Sequence, residues 1–302
     1  MISKDKSHKL IAIYLFICDL YEKELKFICQ RFTNNDSPDF TDQEIITIYL
    51  FVMHVEQRLK IKHIYNFTKD YLLSWFPLLP SYQAFVMRLN RLSEVFQHIS
   101  YVLISEYPPD CSNHNMYLLD SMPIITCSGK RKGAVAQELT EKGYCSTKSM
   151  YYYGVKLHAL ALRAMGHLPF PDSFIITPAS ENDLNVFKQE WAHLSNRFFF
   201  GDKIYHNTDF FDNLSNSNKS YMLTPVKAVK NKPDCLKNFD KAFEDLYSTA
   251  VSKIRQPIES LFNWLIEKTD IQRASKVRSS KGLLVHIFGK IAAAFIFLIF
   301  NS

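Results

Sequence analysis

Apolar residues recur every three to four positions through about the first 107 residues, a spacing typical of amphipathic helices. Ser7 is placed to cap a first helix, and Thr41-Asp42-Gln43-Glu44 is a capping-box pattern that opens a second. A third helical stretch stops at Pro77, and Ser81 is placed to cap a last helix over residues 82–107. We predict an all-α N-terminal region. A helix-turn-helix unit is possible, but the pattern favours a generic bundle.

After a break rich in Pro and Asn at residues 108–115, the pattern changes to short apolar or alternating runs that end at Gly, Pro or Asp. Such runs are typical of strands. They cover residues 116–120, 151–162, 172–178, 196–202 and 220–226. A helical stretch capped by Ser180 follows the third run, and helical spacing returns from about Pro257. We therefore predict an α/β domain over residues 111–302, a mixed five-stranded sheet flanked by helices, after a helical domain over residues 1–110.

Charge is unevenly placed along the chain. The net charge of the 302 residues is +6, but residues 126–156 carry six Lys and Arg against two Glu, and residues 253–290 carry eight against three acids. Two basic segments on an otherwise slightly acidic chain favour a polyanionic partner such as nucleic acid, although a charged run is often only a solvated surface.

Composition indicates the kind of protein and the cellular compartment that we expect. Hydrophobic residues make up 47% of the chain and charged residues 22%, which is typical of a globular protein. The six cysteines form no CxxC pair, so we expect reduced thiols and a cytoplasmic protein. The apolar run at residues 291–300 is too short to span a bilayer, and we predict a buried helix there rather than a membrane contact.

Three acids stand at positions that suit chemistry. Asp120 and Asp202 each end an apolar run, and Glu259 falls in the first turn of a helix that starts near Gln256 or Pro257. Each acid alone is explained as a turn former or a helix cap. If they converge, their repulsion requires cations, and carboxylate oxygens without His or Cys select Mg²⁺ or Mn²⁺. Two such ions about 3.5–4 Å apart catalyse phosphoryl transfer.

Several motifs together carry a family resemblance. MYLLDSMPI, YYGVKLH, TPASEND, FFFGDKIY and RQPIESLFNWL stand in this order before a basic tail that ends KGLLVHIFGKIAAAF. In order and spacing they resemble the DDE transposases of bacterial insertion sequences, which have a ribonuclease H-like catalytic domain. The resemblance extends from about residue 40 to the end and is strongest over residues 116–290.

The resemblance implies a function and a site. Asp120, Asp202 and Glu259 would bind two Mg²⁺ or Mn²⁺ ions that cleave phosphodiesters at the element ends and join the freed 3′-hydroxyl to target DNA. The partners implied are terminal inverted repeats and target DNA, bound by a homodimer near the bacterial nucleoid. The family often places a Tyr, an Arg and a Lys around the glutamate; only the Arg position is matched here, by Arg255, while Ser252 and Ile266 replace the others.

Basic residues are the candidates for DNA contact. We expect Lys130, Arg131, Lys132, Lys156, Arg255, Lys268 and Arg273 to take part. Lys156 and His158 alternate with apolar residues and so share one face of a strand. This face either lies near the metals or is an ordinary polar face, and the second interpretation is favoured. Tyr205 either stacks on a base or, more commonly, packs. Gly201 is expected to let the backbone turn before Asp202.

Two other functions fit the same residues. One is a metal-dependent nuclease on this scaffold that hydrolyses DNA without strand transfer. The other is a non-catalytic DNA-binding descendant, which three intact carboxylates argue against.

Overall fold

The computed structural model describes residues 2–31, 38–106, 108, 115–130, 133–205, 207–226 and 234–297, which divide into two compact units. The helical unit comprises residues 1–107, 134–138 and 265–302, and the sheet unit comprises residues 108–133 and 139–264. The predicted boundary after residue 110 is close to the observed break. The prediction of one domain over residues 111–302 differs from this division, because residues 265–302 pack with the N-terminal helices.

Twelve α-helices are present among the described residues, and π-helical turns at Tyr21–Leu25 and Val285–Gly289 join neighbouring helices. The helices are α1 (Lys4–Leu20), α2 (Lys26–Ile28), α3 (Asp42–His54), α4 (Ile61–Tyr71), α5 (Tyr82–Arg91), α6 (Ser93–Ser105), α7 (Asp183–Glu190), α8 (Thr208–Asn218), α9 (Asp234–Arg255), α10 (Pro257–Thr269), α11 (Ser280–Leu284) and α12 (Lys290–Phe295). The predicted all-α N-terminal region is therefore confirmed.

Helix caps explain where the N-terminal helices begin. The capping box predicted at Thr41 is confirmed, with the Thr41 hydroxyl accepting from the Glu44 amide at 3.2 Å. Ser81 caps α5 as predicted. The prediction for Ser7 is wrong: α1 begins one turn earlier, capped by Ser3, and the Ser7 hydroxyl donates to the Ser3 carbonyl. The stretch that was predicted as one last helix forms two helices, α5 and α6, because Leu92 between them leaves the helical conformation.

The C-terminal helices complete the core of the helical unit. The Ser100 hydroxyl of α6 donates to the carbonyl of Phe288 at 2.8 Å, and the Tyr49 hydroxyl of α3 donates to that of Val285 at 3.4 Å. Every residue of α12 is buried, which confirms the prediction of a buried helix for the described part of this run. Among the described residues, no helix has both the length and the apolar character that a membrane crossing requires.

The sheet unit has a mixed sheet of six strands: β1 (Met116–Ser128), β2 (Glu141–Cys145), β3 (Met150–Leu162), β4 (Phe170–Pro178), β5 (Phe198–Phe200) and β6 (Tyr221–Leu223). The five predicted strands lie in the order β4-β3-β1-β5-β6: β3 is antiparallel to both of its neighbours, β1 and β4, whereas β5 is parallel to β1 and β6 is parallel to β5. The sixth strand, β2, was not predicted and pairs with the first residues of β3. The sheet and its flanking helices are consistent with the ribonuclease H-like fold.

Strand β1 corrects one detail of the sequence analysis. Asp120 does not end its strand, because β1 runs on to Ser128 and stays paired with β3 beyond Asp120. On its other edge β1 pairs with β5 only over Met116–Leu118. Pro123 is tolerated in the strand because no β5 residue needs its missing N–H group. Asp120 thus lies where β1 loses its β5 neighbour.

One face of this sheet carries the main core of the unit. Leu119 of β1 and Phe199 of β5 pack there with Phe187 of α7 and Leu214 of α8. Side chains alternate along a strand, so Asp120 lies on the opposite face from Leu119, and Ser121 on the same face. The point where β1 and β5 part therefore carries polar residues on both faces.

Candidate active site

The two aspartates are brought together by the pairing of β1 with β5. The strands are parallel, and Leu118 of β1 stands beside Phe200 of β5. Asp120 and Asp202 each follow these partners by two residues, so both lie just beyond the last paired residues of β1 and β5. Ligand sites of α/β proteins form at such carboxyl ends of parallel strands.

Glu259 reaches the same place through the junction of α9 and α10. Helix α9 ends at Arg255, and α10 begins at Pro257, as predicted, because Pro is tolerated at the first helical position. Arg255 donates to Asp120 Oδ2 from Nη1 and to Glu259 Oε1 from Nη2, both at 2.8 Å. The Arg255 guanidinium therefore joins Asp120 of β1 to Glu259 of α10, which lies 139 residues later in the chain.

The charges around Arg255 show how closely the acids are grouped. Burial raises the pKa of Asp120 to about 6; Arg255 opposes this shift, while Asp183 and Glu259 add to it. Burial alone would lower the pKa of Arg255, but Asp120, Asp202 and Glu259 together raise it above its ordinary value. All three predicted acids therefore act on the charge of one half-buried cation.

Asp202 is exposed, as is Glu259, whereas Asp120 is half-buried. Asp202 follows β5 by two residues, and its carboxylate accepts from the Lys203 amide at 2.7 Å. The backbone turns after β5 as expected, but Gly201 lies outside the positive-φ region that glycine favours. Glycine is required because a β-carbon there would lie 2.7 Å from Cδ2 of Tyr205.

A fourth acid, Asp183, lies behind Asp120 and was not singled out from the sequence. It is the first residue of α7 and is buried. Its Oδ2 accepts from the Ser121 hydroxyl and its Oδ1 from the Lys156 ammonium group, both at 2.9 Å. Asp183 is the last residue of the TPASEND motif, and the position of this acid at the start of a predicted helix was the available signal.

Lys156 and His158 share one face of β3, as predicted, and that face turns toward Asp183. Lys156 also donates to the carbonyl of Glu181 at 2.7 Å. His158 is fully buried, its Nε2 lies 2.8 Å from the Thr177 hydroxyl, and burial lowers its pKa to about 4. In this structure the Lys156 charge is thus engaged inside the protein.

A family comparison now bears on this arrangement. The model of the transposase DDE domain matches residues 112–296, which is more than half of the chain. The chain belongs to the DDE transposase family. No curated protein and no solved structure matches it significantly. The family confirms the resemblance drawn from the motifs, and it implies action on DNA.

DDE transposases generally use divalent metals, and the donor chemistry of this site suits them. The three acids offer only carboxylate oxygens, the ligands that Mg²⁺ and Mn²⁺ prefer. In this structure Arg255 engages Asp120 and Glu259. No group of three or more His, Cys, Asp or Glu side chains in the described part of the chain is arranged to hold a metal. The residues fit the ions in chemistry, provided that Arg255 releases the acids.

The remaining DNA-contact candidates of this transposase family member fall in different places. Lys130 is exposed in the sheet unit, and Lys268 and Arg273 are exposed in the helical unit. Arg131 and Lys132 lie outside the described residues. The exposed side chains are available to a phosphate backbone, whereas Arg255 and Lys156 are held by acids.

Proposed function

We propose that this protein is the DNA transposase of a bacterial insertion sequence. It cleaves phosphodiesters at the element ends and joins the freed 3′-hydroxyl to target DNA by phosphoryl transfer with two metal ions. The observation that carries this proposal is the convergence of Asp120, Asp202 and Glu259 on Arg255, from a strand, a turn and a helix. Membership of the DDE transposase family supports it.

Asp120, Asp202 and Glu259 would hold the ions, Mg²⁺ or Mn²⁺. When bound, these ions activate the attacking oxygen and stabilise the leaving one. The side chain of Arg255 has to give up its contact with Asp120 at that stage, because a guanidinium and a divalent cation compete for the same oxygen. Released from Asp120, Arg255 would be free to contact a DNA phosphate, for which guanidinium groups are well suited.

DNA would be held by the exposed basic residues, with Lys130, Lys268 and Arg273 as described candidates and Arg131 and Lys132 as further ones. Neutralising phosphates with Lys and Arg makes such binding weaken steeply with salt. We propose a homodimer on paired element ends and an association with the nucleoid in the cytoplasm. The helical N-terminal region is proposed to bind the terminal inverted repeats.

The experiment uses the DNA that flanks the coding region in its genome. A duplex that carries the terminal repeat, labelled at the 5′ end of the strand whose 3′-hydroxyl is freed by cleavage, is incubated with an unlabelled target duplex and Mg²⁺. We expect labelled joint products from the parent protein and none from Asp120→Asn, while both bind the repeat equally. Asp209→Asn, an exposed acid on α8, is the matched control and should join DNA like the parent.

The other outcomes separate the alternatives. Cleaved ends that never join to the target would show a nuclease. Repeat binding without cleavage in the parent would show a non-catalytic DNA-binding protein. Full activity in Asp120→Asn would remove the proposed site altogether.

A further inference from the structure

Helix α4 of the helical unit has one face of polar side chains that is fully open to solvent. The residues of this face are all exposed: Lys62, His63, Asn66, Lys69 and Asp70. Within the part of the chain that the structure describes, none of these side chains makes a hydrogen bond or an ion pair. The face is therefore available to a partner.

The opposite side of α4 is anchored in the core of the helical unit. Ile64 and Thr68 are fully buried, and the Thr68 hydroxyl donates to the Ile64 carbonyl at 2.9 Å. The Tyr65 ring meets that of Phe85 in α5 edge-on, with centroids 5.6 Å apart, and its hydroxyl donates to the Pro80 carbonyl at 3.0 Å. The core thus holds α4 in place and leaves its polar face outside.

A short turn over residues 55–60 connects α3 to α4. Gln57 adopts a positive φ of 50°, and its side-chain amide donates to the His54 carbonyl at 2.7 Å, which closes the end of α3. Arg58 and Lys60 follow in this turn and are exposed. The order of a buried helix, a short turn and an exposed helix is that of helix-turn-helix units, whose second helix reads DNA.

The surface formed by this turn and α4 is strongly basic. Residues 57–71 contain four Lys and Arg against Asp70 alone. At 3.6 residues per turn, Lys62 and Lys69 lie on the same edge of the helix, and Asp70 lies about 100° further round. A polyanion that approaches the lysine edge therefore meets positive charge along the whole helix.

Several basic side chains on the other helices of the unit are neutralised by acids. On α5, both arginines pair with the buried Asp42. Beyond α1, Lys23 and Lys26 pair with acids one turn earlier, and on α6 His98 is paired with Glu24. The lysines of α4 differ, because they have no such partner among the described residues.

The size and chemistry of α4 suit the major groove of duplex DNA. The groove is about 12 Å wide and admits an α-helix. The 11 residues of α4 extend about 16 Å along it. Asn66 lies on the exposed face one turn from both Lys62 and Lys69, and an Asn side chain can bind both hydrogen-bonding groups of an adenine edge.

We propose that α4 enters the major groove of terminal-repeat DNA, with Asn66 on an adenine edge and Lys62 and Lys69 on neighbouring phosphates. Arg58 and Lys60 extend the phosphate contacts from the preceding turn. This inference rests on the proposed function, to which it adds the helix that recognises the repeat. Phosphate contacts fix the position of the helix, and the base contact supplies sequence preference.

The first test measures the salt dependence of binding. A fluorescent duplex with the terminal repeat is titrated with the full-length chain by anisotropy, without divalent metal and at several salt concentrations. We expect Lys62→Gln and Lys69→Gln each to lower the slope of log affinity against log salt by about 1, because each phosphate contact releases about one counterion. Lys23→Gln is the matched control: it removes an exposed lysine charge from the same unit and should leave the slope unchanged.

The second test measures sequence preference. We expect Asn66→Ala to bind the repeat about ten-fold more weakly and an unrelated duplex of the same length as well as the parent does. Replacing one A·T pair of the repeat should weaken the parent and leave Asn66→Ala unaffected. Asn213→Ala, at an exposed position on α8, is the matched control and should keep the preference of the parent.

The outcomes separate this inference from the proposed function. Unchanged affinity and salt slope in both lysine variants, as expected of a face that is only solvated, would overturn the role of α4. Strand joining by the same proteins would then leave the proposed function intact. An unaltered base preference in Asn66→Ala would overturn the base contact. A parent protein that binds the repeat no better than the unrelated duplex would overturn both the inference and the proposed function.

Discussion

At the scale of single residues, the best-defined ionic site of the described chain is structural. Asp42, at the start of α3, is 5% exposed and pairs with Arg31, Arg88 and Arg91. Removing one partner of a buried ionic group costs about 3–5 kcal/mol, because the remaining charges stay buried without compensation. We therefore expect Asp42→Asn to lower the free energy of unfolding by about that amount in urea at pH 7.

The control for this change is Asp19→Asn, which breaks an exposed pair with Lys23 and should cost about 0.3–0.5 kcal/mol. The pH dependence has a definite sign. Burial alone would raise the pKa of Asp42, but the three arginines outweigh it and lower the pKa below its ordinary value. This stabilisation is therefore present above the unfolded pKa and is lost as the pH falls through the folded one. Equal costs for both variants would contradict the prediction.

The residue scale also shows what sequence reasoning can reach. Asp120, Asp202 and Glu259 were chosen by type and position; Asp120 and Glu259 both accept from the Arg255 guanidinium, and the charge of Asp202 also acts on it. Asp183 was not found, because its surroundings depend on how α7 packs. A sequence shows which groups are available, and only folding shows which of them meet.

At the scale of elements, the junction of α9 and α10 controls the site. Arg255 ends one helix, Glu259 lies in the first turn of the next, and Pro257 separates them. We expect Arg255→Gln to bind Mn²⁺ about five-fold more tightly than the parent without DNA, because losing a competing ion pair of about 1 kcal/mol changes affinity by that factor. Calorimetric titration measures it, and Lys253→Gln, at an exposed position two residues earlier, is the control.

The same variant should join DNA ends less well, since the proposed phosphate contact of Arg255 is lost with its charge. Tighter metal binding combined with weaker strand transfer would identify Arg255 as the cation that gives way to the metals. Weaker Mn²⁺ binding in Arg255→Gln would mean that Arg255 orders the acids instead of competing with the ions.

Element prediction succeeded where the local pattern decides and failed where packing does. The five strands and the capping box at Thr41 follow from alternation and from side-chain hydrogen bonds within four residues. Helix α9 was not predicted, although Phe239, Phe243 and Leu246 stand at helical spacing in the sequence. Phe243 and Leu246 are exposed in the structure. The extension of β1 beyond Asp120 depends on pairing with residues of β3 that lie between 24 positions (Ser128 with Tyr152) and 37 positions (Ser121 with His158) away in sequence.

At the scale of the whole molecule, the division into units could not be predicted from a linear pattern. Residues 265–302 follow the catalytic glutamate candidate directly, yet they complete the core of the helical unit. Apolar periodicity shows that a helix buries one face, but it does not show which partner covers that face. The unit boundary inside α10 could not be predicted from the sequence either, because the helix itself continues across it without a break.

This division predicts the effect of a truncation that keeps α10 whole and removes residues 271–302. The described part of the deleted segment contributes twelve apolar residues to the core: Ile271, Ala274, Leu283, Val285, Ile287, Phe288, Ile291, Ala292, Ala293, Ala294, Phe295 and Ile296. Each large apolar side chain contributes about 1.5–3 kcal/mol when buried, while a whole domain has only about 5–15 kcal/mol of stability. The remaining helices α1–α6 therefore cannot stay folded, whereas β1 and β3 keep their pairing inside the sheet unit.

Hydrogen exchange measured by mass spectrometry separates the two units in one sample. In the truncated chain, amides of α3 and α6 should exchange as in an unfolded chain, while those of β1 and β3 stay protected. Gly289→Ala in the full-length chain is the milder version, because its β-carbon would lie 2.8 Å from Cε1 of Tyr49, and it should lower protection in α3 and α6 only. Full protection of these helices after truncation would show that residues 1–107 fold without the C-terminal segment. In that case the insertion of the sheet unit between two parts of the helical unit would have no energetic consequence.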